Sequence, residues 1–394
     1  MQDRQSVCGV ICEYNPFHKG HAYQLTQARA MTGAQIIVCV MSGPFTQRGD
    51  AALFSPALRA RMALLAGADV VVELPAAYAI REAEAFALGG VSILQALGAD
   101  YLSFGCESEN IAGLQAAARL LESPTEDFNH LLRAGLKRGC SHARAQGEAL
   151  ASILSSEDAG LVASPNNVLA ICYLRAMEQL RSSMRPVPVL RQGDYHDSGW
   201  QEGFASATAA RAALLRGDWG HVREMFPQEV LPLALEAMEA GRYHAPHSLD
   251  LLLRHTLATL QEASLTAYPG VGEGLEHRIM RFSPSCISRK ELISKLKTKR
   301  YTYTRLNRLL THVVLELTLA CLTSCHPSAF RLLGFRETAR PFLASVPKGI
   351  LYTKAARQEK DPSFLLDMKA YDLWAMGAGL PLGEGYCQQV VRMP

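Results

Sequence analysis

Short apolar runs alternate with longer amphipathic stretches through the first half of this chain. The runs at Val7–Cys12, Gln35–Met41, Asp69–Glu73, Asp100–Phe104 and Pro186–Arg191, most of them rich in valine or isoleucine, read as strands covered on both faces. Helical spacing fills the intervals near Ala22–Met31, Pro56–Ala66, Glu82–Leu97 and Ile111–Leu121. Gly67-Ala68-Asp69 and Gly98-Ala99-Asp100 repeat one joint, a helix-ending glycine followed by the next strand. Alternating β and α predicts an α/β fold, a Rossmann-like doubly wound parallel sheet. Such sheets hold their ligands at the carboxyl ends of the strands beside the switch point.

The alternation breaks over residues 123–163, which read as a helical insertion carrying Lys137, Arg138, His142 and Arg144. A solvated helical face is the default for such a segment, and contact with a polyanion is the alternative. From about Gly217 the pattern is mostly helical, with stretches at Gln228–Ala240, Asp250–Ala263, Lys290–Lys297 and Tyr303–Leu322. The pattern over Pro341–Leu351 and Pro362–Leu382 is mixed and assigns no regular structure. Two domains follow, 1–216 for the α/β part and 217–394 for the helical part.

Composition narrows the classes. With 394 residues, 48% hydrophobic, the chain can build two cores, and a net charge of +3 confines any basic surface to a local patch. No segment has the length of a membrane span or the pattern of a signal peptide, so no membrane partner and a cytoplasmic setting are expected. Ten cysteines are scattered, and those in buried strands act as small apolar residues. Cys321, Cys325 and His326 lack a fourth ligand at usable spacing, so no metal site is expected there.

The candidate chemistry begins right after the first strand, in Ile11-Cys12-Glu13-Tyr14-Asn15-Pro16-Phe17-His18-Lys19-Gly20-His21-Ala22-Tyr23-Gln24. His-x-Gly-His falls at the mouth of a helix, where backbone N–H groups and the helix dipole attract phosphate. Two imidazoles there suit attack on the α-phosphate of a nucleoside triphosphate, as charge builds on the departing pyrophosphate. A second motif, Ala205-Ser206-Ala207-Thr208-Ala209-Ala210-Arg211, sets two hydroxyls and an arginine at a helix start. One hydroxyl caps the helix, while its neighbour and Arg211 reach an anion. Gly105 ends the fourth strand and would let a nucleotide approach the backbone. Asn166, in Ser164-Pro165-Asn166-Asn167, and Arg191, at the end of the fifth strand, are further candidates on the ligand edge. The loop Met41–Asp50 suits a substrate-facing position, and Glu13 and Asp50 are possible magnesium ligands.

Ser288–Arg308 concentrates lysine and arginine with interleaved tyrosines. Lys295, Lys297, Lys299, Arg300, Arg305 and Arg308 can neutralise phosphates, and Tyr301 and Tyr303 can stack on unpaired bases. The run reads as an RNA-binding segment. A basic amphipathic helix face is the bland alternative.

Taken together, GVICEYNPFHKGH, MSGPFTQRGDAA, ADVVVELP, FGCE, SPNN and KTKRYTYTRLNR resemble, in this order, the blocks of the bacterial tRNA(Met) cytidine acetate ligase family. The likeness runs to roughly Phe335. It implies a nucleotidyltransferase-type fold that activates acetate with ATP and Mg²⁺, forming acetyl-adenylate. The acetyl group then passes to the exocyclic amine of the wobble cytidine in elongator tRNA(Met). The resemblance maps the ATP site onto Ile11 through Gln24, Gly105, Asn166 and Arg191. In that mechanism His18 and His21 stabilise the transferring charge, and Lys19, Ser206, Thr208 and Arg211 hold the leaving pyrophosphate. The residues alone leave two alternatives: an adenylyltransferase of the same fold acting on a small phosphorylated metabolite, and a non-catalytic RNA-binding protein.

Overall fold

The computed structural model describes residues 5–108, 110–154, 160–161, 164–191, 206–355 and 358–394. Part of the insertion (155–159 and 162–163) and Ala205, at the head of the second phosphate motif, lie outside the described residues. The α/β half runs β1 (Val7–Cys12), α1 (Lys19–Thr32), β2 (Ile36–Ser42), α2 (Pro56–Leu65), β3 (Val70–Leu74), α3 (Ala76–Ala79), α4 (Ala83–Ala96) and β4 (Tyr101–Cys106). It continues through α5 (Ile111–Glu122), α6 (Glu126–Lys137), α7 (His142–Ile153), α8 (Pro165–Gln179) and β5 (Arg185–Leu190). These five strands lie in the order β5-β4-β1-β2-β3, all parallel, as the alternation predicts. The switch point falls between β1 and β4, so the His-x-Gly-His turn and Gly105 flank it.

The glycine–alanine–aspartate joints do more than end a helix. Asp100 Oδ2 accepts from the Val7 N–H at 2.9 Å, and Asp69 Oδ2 accepts from the Ile37 N–H at 2.7 Å. Each joint therefore also pairs an N–H at the start of the neighbouring strand, which would otherwise be orphaned. On one face of the sheet, α4 lies so close to β1 that a Cβ on Gly9 would fall 2.4 Å from Leu94. Only glycine fits there.

The second half adds α9 (Ala207–Arg216), α10 (Trp219–Met225), α11 (Leu231–Glu239), α12 (Asp250–Thr259), α13 (Leu275–Phe282), α14 (Arg289–Leu296), α15 (Tyr303–Leu315) and α16 (Leu319–Ser324). The stretch read as one helix over Tyr303–Leu322 is two, because Glu316 takes a left-handed conformation (φ +52°) and ends the first. Apolar residues of α9, α10 and α11 share a core with α1 and α2 on one sheet face, while those of α12 to α15 join the core of α4, α5 and α8.

The last third departs from the expected division at 216/217. β6 (Phe330–Arg336) pairs antiparallel with β3 and extends the same sheet. α17 (Arg340–Ser345), β7 (Leu351–Tyr352), α18 (Pro362–Gly377), α19 (Glu384–Cys387) and β8 (Val391–Met393) follow, and both short strands pair with β6. The physical reason is edge protection: β3 would otherwise present an unpaired apolar edge. A buried pair fastens the join, with Arg331 Nε 3.5 Å from Glu73 Oε2 and the Tyr371 hydroxyl donating to the same oxygen at 3.2 Å.

Arg59 of α2 is fully buried, and its guanidinium meets backbone carbonyls. It donates to Glu13 O (2.6 Å), Ser42 O (3.1 Å), Phe54 O (3.1 Å) and Gly43 O. It thus ties together the chain just beyond β1 and the end of β2. A lysine cannot reproduce this fork. Arg59→Lys is expected to destabilise the fold by about 2–4 kcal/mol, through carbonyls left unpaired. Urea unfolding checks this, and an unchanged midpoint would refute the role assigned here.

Candidate functional site

The turn between β1 and α1 is built on its own side chains. Tyr14 and Phe17 are buried, with ring centroids 4.8 Å apart, edge to face. Both pack on His21, at 4.8 and 5.5 Å. Asn15 is also buried, and its Oδ1 accepts from the Leu53 N–H at 2.8 Å. Ile11 and Cys12 end β1, Pro16 is buried in the turn, and Ala22, Tyr23 and Gln24 lie half-buried in the first turns of α1. Lys19 is exposed at the helix start, and Gly20 follows it.

His18 is the N-cap of α1. Its Nδ1 accepts from the Gly20 N–H at 3.0 Å, and its own N–H donates to His21 Nδ1 at 3.3 Å. The result is a reciprocal capping box made by two histidines in place of the usual serine and glutamate. The rings sit 3.8 Å apart, centroid to centroid. Each Nδ1 accepts a backbone proton, so in each neutral ring Nε2 carries the hydrogen. Burial lowers the His18 pKa to about 3, helped by the Arg191 and Arg211 charges. Burial also holds His21 well below its ordinary value, with His18 and Arg191 adding to the effect. In this unliganded structure the pair are thus neutral Nε2–H donors. The Gly20 N–H is spent on the cap, so the helix start offers fewer free amides than the motif alone implies.

Positive charge comes from arginines on two sides. Arg211 of α9 donates to Asn15 O at 2.5 Å and to Thr208 Oγ1 at 3.3 Å, binding the second motif directly to the first. Ser206 takes the cap, accepting from the Ala209 N–H at 3.2 Å, and Thr208 is the exposed hydroxyl beside Arg211. On the other side, Arg191 donates to Asn166 Oδ1 at 3.2 Å. The Asn166 amide donates to Glu107 Oε1 at 2.5 Å, and the Glu107 N–H is taken by Asn167 Oδ1 at 2.9 Å. Gly105 faces the Arg191 side chain. The other Glu107 oxygen, Oε2, is buried and has no hydrogen-bond partner among the described residues. Glu107, in the FGCE block, was not among the candidates from sequence; an acidic residue two positions past a strand-ending glycine was the available signal.

The loop after β2 connects this site to the helical half. Gln47 N–H donates to Glu13 Oε1 at 2.6 Å, and Arg308 Nη1 donates to Gln47 O at 3.0 Å. Asn307 Nδ2 donates to Arg48 O (2.9 Å) and Asp50 Oδ1 (2.8 Å), and Thr311 Oγ1 donates to Gly49 O at 2.6 Å. Gly49 has φ +85°, and a Cβ there would fall 2.6 Å from Arg308 Cα, so both conformation and space demand glycine. Glu13 and Asp50 are therefore engaged by Gln47 and Asn307. Among the described residues no group of three or more His, Cys, Asp or Glu is placed to hold a metal ion. The residues do not fit a magnesium centre built by the chain itself.

The basic segment divides in two. Tyr301 is buried, its hydroxyl donating to Gly272 O at 3.1 Å, so it does not present a face for stacking as expected from the sequence. Arg308 turns inward to the β2 loop, which corrects its assignment to an RNA-facing surface. Arg305 covers the Tyr301 ring at 4.9 Å and donates to Gly270 O at 3.0 Å. Arg300 pairs with Glu273 at 2.5 Å and Lys295 with Glu291 at 3.3 Å. Lys297, Lys299 and Tyr303 are exposed, and among the described residues neither lysine has an ion-pair partner.

A doubly wound sheet with two histidines at its switch point, flanked by two arginines, defines a class: a nucleotidyltransferase-fold enzyme that handles phosphates. The HIGH Nucleotidyl Transferase family model matches residues 5–381. The tRNA(Met) cytidine acetate ligase of Bacillus licheniformis is 37% identical over 382 residues, covering 93% of this chain and 91% of that one. The protein of the same name from a Geobacillus strain is 35% identical over 373 residues, 92% of each chain. Thermotoga maritima TmcAL in its apo form I matches with a TM-score of 0.91 and 29% identity, over 98% of this chain and 100% of that one. The same protein bound with alpha-thio ATP matches at 0.88, with the same identity and coverage. The chain belongs to the tRNA(Met) cytidine acetate ligase family.

Asparagine is as good an N-cap as any residue but lacks the Nε2–H. His18→Asn is therefore expected to keep α1 and lower adenylate formation by about 10²–10³-fold. The same variant tests the burial of the ring. Unfolded histidine titrates near 6.5, so below that pH the unfolded wild-type chain binds a proton that the folded chain refuses, and stability falls with pH. Relative to wild type, the variant should be spared about 2 kcal/mol of destabilisation between pH 7 and pH 5. Buried Glu73 and Asp367, whose pKa values burial raises, act in the opposite sense in both proteins and cancel in the comparison. Denaturant unfolding at the two pH values reads the difference.

Proposed function

We propose that this chain is an ATP-dependent ligase that forms acetyl-adenylate from acetate and ATP and acetylates N4 of the wobble cytidine of elongator tRNA(Met). The observation that carries the reading is the histidine capping box, with Arg191 and Arg211 on either side. An acetate oxygen attacks the α-phosphorus of ATP, and the bond from that phosphorus to the bridging oxygen breaks, releasing pyrophosphate. Charge accumulates on the phosphate oxygens during this step. Donors already fixed in place stabilise it without reorganising. The two Nε2–H groups serve the transferring phosphate. Arg211, Thr208 and the exposed Lys19 hold the departing pyrophosphate, and Ser206 keeps their helix start in place. Magnesium accompanies the triphosphate as its counterion, in keeping with its habit of binding phosphate and water. In the second step the cytidine amine attacks the acetyl carbon, AMP leaves, and the amine gives up a proton. Glu107 Oε2, buried and without a partner among the described residues, is suited to accept a hydroxyl or amine hydrogen of the nucleoside.

The tRNA lies against the helical half, with Lys297, Lys299 and Tyr303 facing it and Arg300, Arg305 and Lys295 lending charge around them. Anchoring Arg308 and Tyr301 in the scaffold keeps this surface in register with the β2 loop.

The reading is tested by labelled pyrophosphate exchange into ATP, which should require acetate and should not respond to amino acids. Mass analysis of nucleosides should find acetylated cytidine only when protein, tRNA, ATP and acetate are all present. The variant Lys297→Ala/Tyr303→Ala is expected to weaken tRNA binding about tenfold or more. His21→Ala is expected to abolish exchange with tRNA affinity nearly intact. Equal losses of both activities in both variants would defeat the division of labour.

A further inference from the structure

The helical insertion and the basic segment meet at a cleft that the reading above leaves without a role. Its volume is about 280 Å³, and its lining is Arg138, Gly139, Cys140, Arg144 and Lys299. Arg138, Gly139 and Cys140 come from the turn between α6 and α7 and Arg144 from the first turn of α7, while Lys299 comes from the loop before α15, more than 150 residues later in the chain. Three cations and, among the described residues, no carboxylate line one small space. Arg138 and Arg144 are held from behind by one acid, Glu148, at 2.8 Å each. The two arginines and that glutamate leave one positive charge, and Lys299 makes two. Glu148 orients both forks while neutralising only one of them. Both arginine side chains stay more than half exposed. Gly139 sits at φ +79° with open space where a side chain would be, so the backbone itself is approachable. The twelve-residue helix α7 begins here, capped by Ser141, and its positive end borders the cleft.

Arginine forks, a helix start, an unobstructed glycine and a free lysine together match the chemistry of a phosphodiester, not that of a carboxylate side chain alone. We propose that this cleft grips a backbone phosphate of the RNA, making the insertion a second jaw that closes on the strand lying along Lys297–Lys299. The proposal rests on the tRNA reading above. It names a contact outside the basic run, on a segment whose bland reading is a solvated helical face. Phosphate contacts of this kind set register and supply salt-dependent affinity without reading sequence.

Cys140 supplies a probe that needs no substitution. It lines the cleft and is half-buried, while Cys387 is exposed elsewhere on the chain. Alkylation with iodoacetamide, followed by peptide mass analysis, should show tRNA slowing modification of Cys140 at least fivefold and leaving Cys387 unchanged. In a second arm, the variant Arg144→Gln leaves the Lys297–Lys299 surface intact and keeps the Arg138–Glu148 pair and thus the hairpin, which a thermal melt checks. Its tRNA dissociation constant should rise about threefold or more near 0.1 M salt, and the slope of log affinity against log salt should fall by about 1. Wild-type protein that binds tRNA without protecting Cys140, and a variant with an unchanged salt slope, would overturn the cleft and leave the function standing. Wild-type protein that neither binds nor acetylates tRNA would sink the function itself. Protection of Cys140 by inorganic phosphate alone, with tRNA affinity of the variant unaltered, would mark a small-anion site and overturn the RNA assignment.

Discussion

One buried guanidinium holds this active-site frame together. The carboxyl ends of parallel strands direct their last carbonyls into the same region, and the turns that leave β1 and β2 would leave several unpaired. Arg59 collects the carbonyls of Glu13, Ser42, Gly43 and Phe54. Burial lowers its pKa, but only to about 10, so it stays charged at neutral pH. A cation with no exposed surface survives there because partial negative charges surround it. Glu13 leads within five residues to His18, so fixing that carbonyl fixes where the capping box starts. The β2 loop, held by the same side chain at Ser42 and Gly43, then brings the Gln47 N–H to the Glu13 carboxylate.

What the sequence made legible was local. Each of the five strands read from apolar runs is present within two residues at either end. β1 to β4 declare their burial in their composition, while β5, at the sheet edge, is largely half-exposed, contrary to the expectation of a strand covered on both faces. The histidine pair was legible because a glycine-separated pair after a strand has few other uses. The second motif was legible as a helix start, and Ser206 takes the cap while Thr208 Oγ1 accepts from Arg211. What escaped depends on partners far along the chain. Arg59 looks like any arginine on an alanine-rich helix until the two strand ends it serves are placed beside it. Phe330–Arg336 reads as an apolar run, yet nothing local says that it returns some 260 residues to cover β3. Tyr301 and Arg308 sit in a basic run whose composition is the same whether its residues face RNA or the protein's own loops.

That last distinction changes how the helical half is understood. Counting cations across Ser288–Arg308 overstates the surface offered to a polyanion, since Arg308, Arg305 and Arg300 are each committed to a carbonyl or a carboxylate. In exchange, the committed residues give rigidity. Asn307, Arg308 and Thr311 grip consecutive carbonyls of the β2 loop, and that loop grips Glu13 beside the histidines. In the proposed arrangement, a strand bound along α15 is positioned relative to the phosphate site through these few hydrogen bonds. Two substrates that must meet, an activated acid and an exposed base, gain from such fixed geometry.

The neutral state of the histidines follows from the same economy of charge. Two imidazolium ions with centroids 3.8 Å apart, next to Arg191 and Arg211, would repel one another in a site already desolvated. Arginines cannot shed their protons, so they carry the standing charge that attracts a triphosphate at any physiological pH. The histidines, deprived of charge by burial and by those same arginines, remain as oriented N–H donors. Negative phosphate charge beside them would offset the arginine contribution to their depressed pKa values, while the larger contribution, burial, would remain. The capping box closes the helix start through both Nδ1 atoms and leaves each Nε2–H outside the cap.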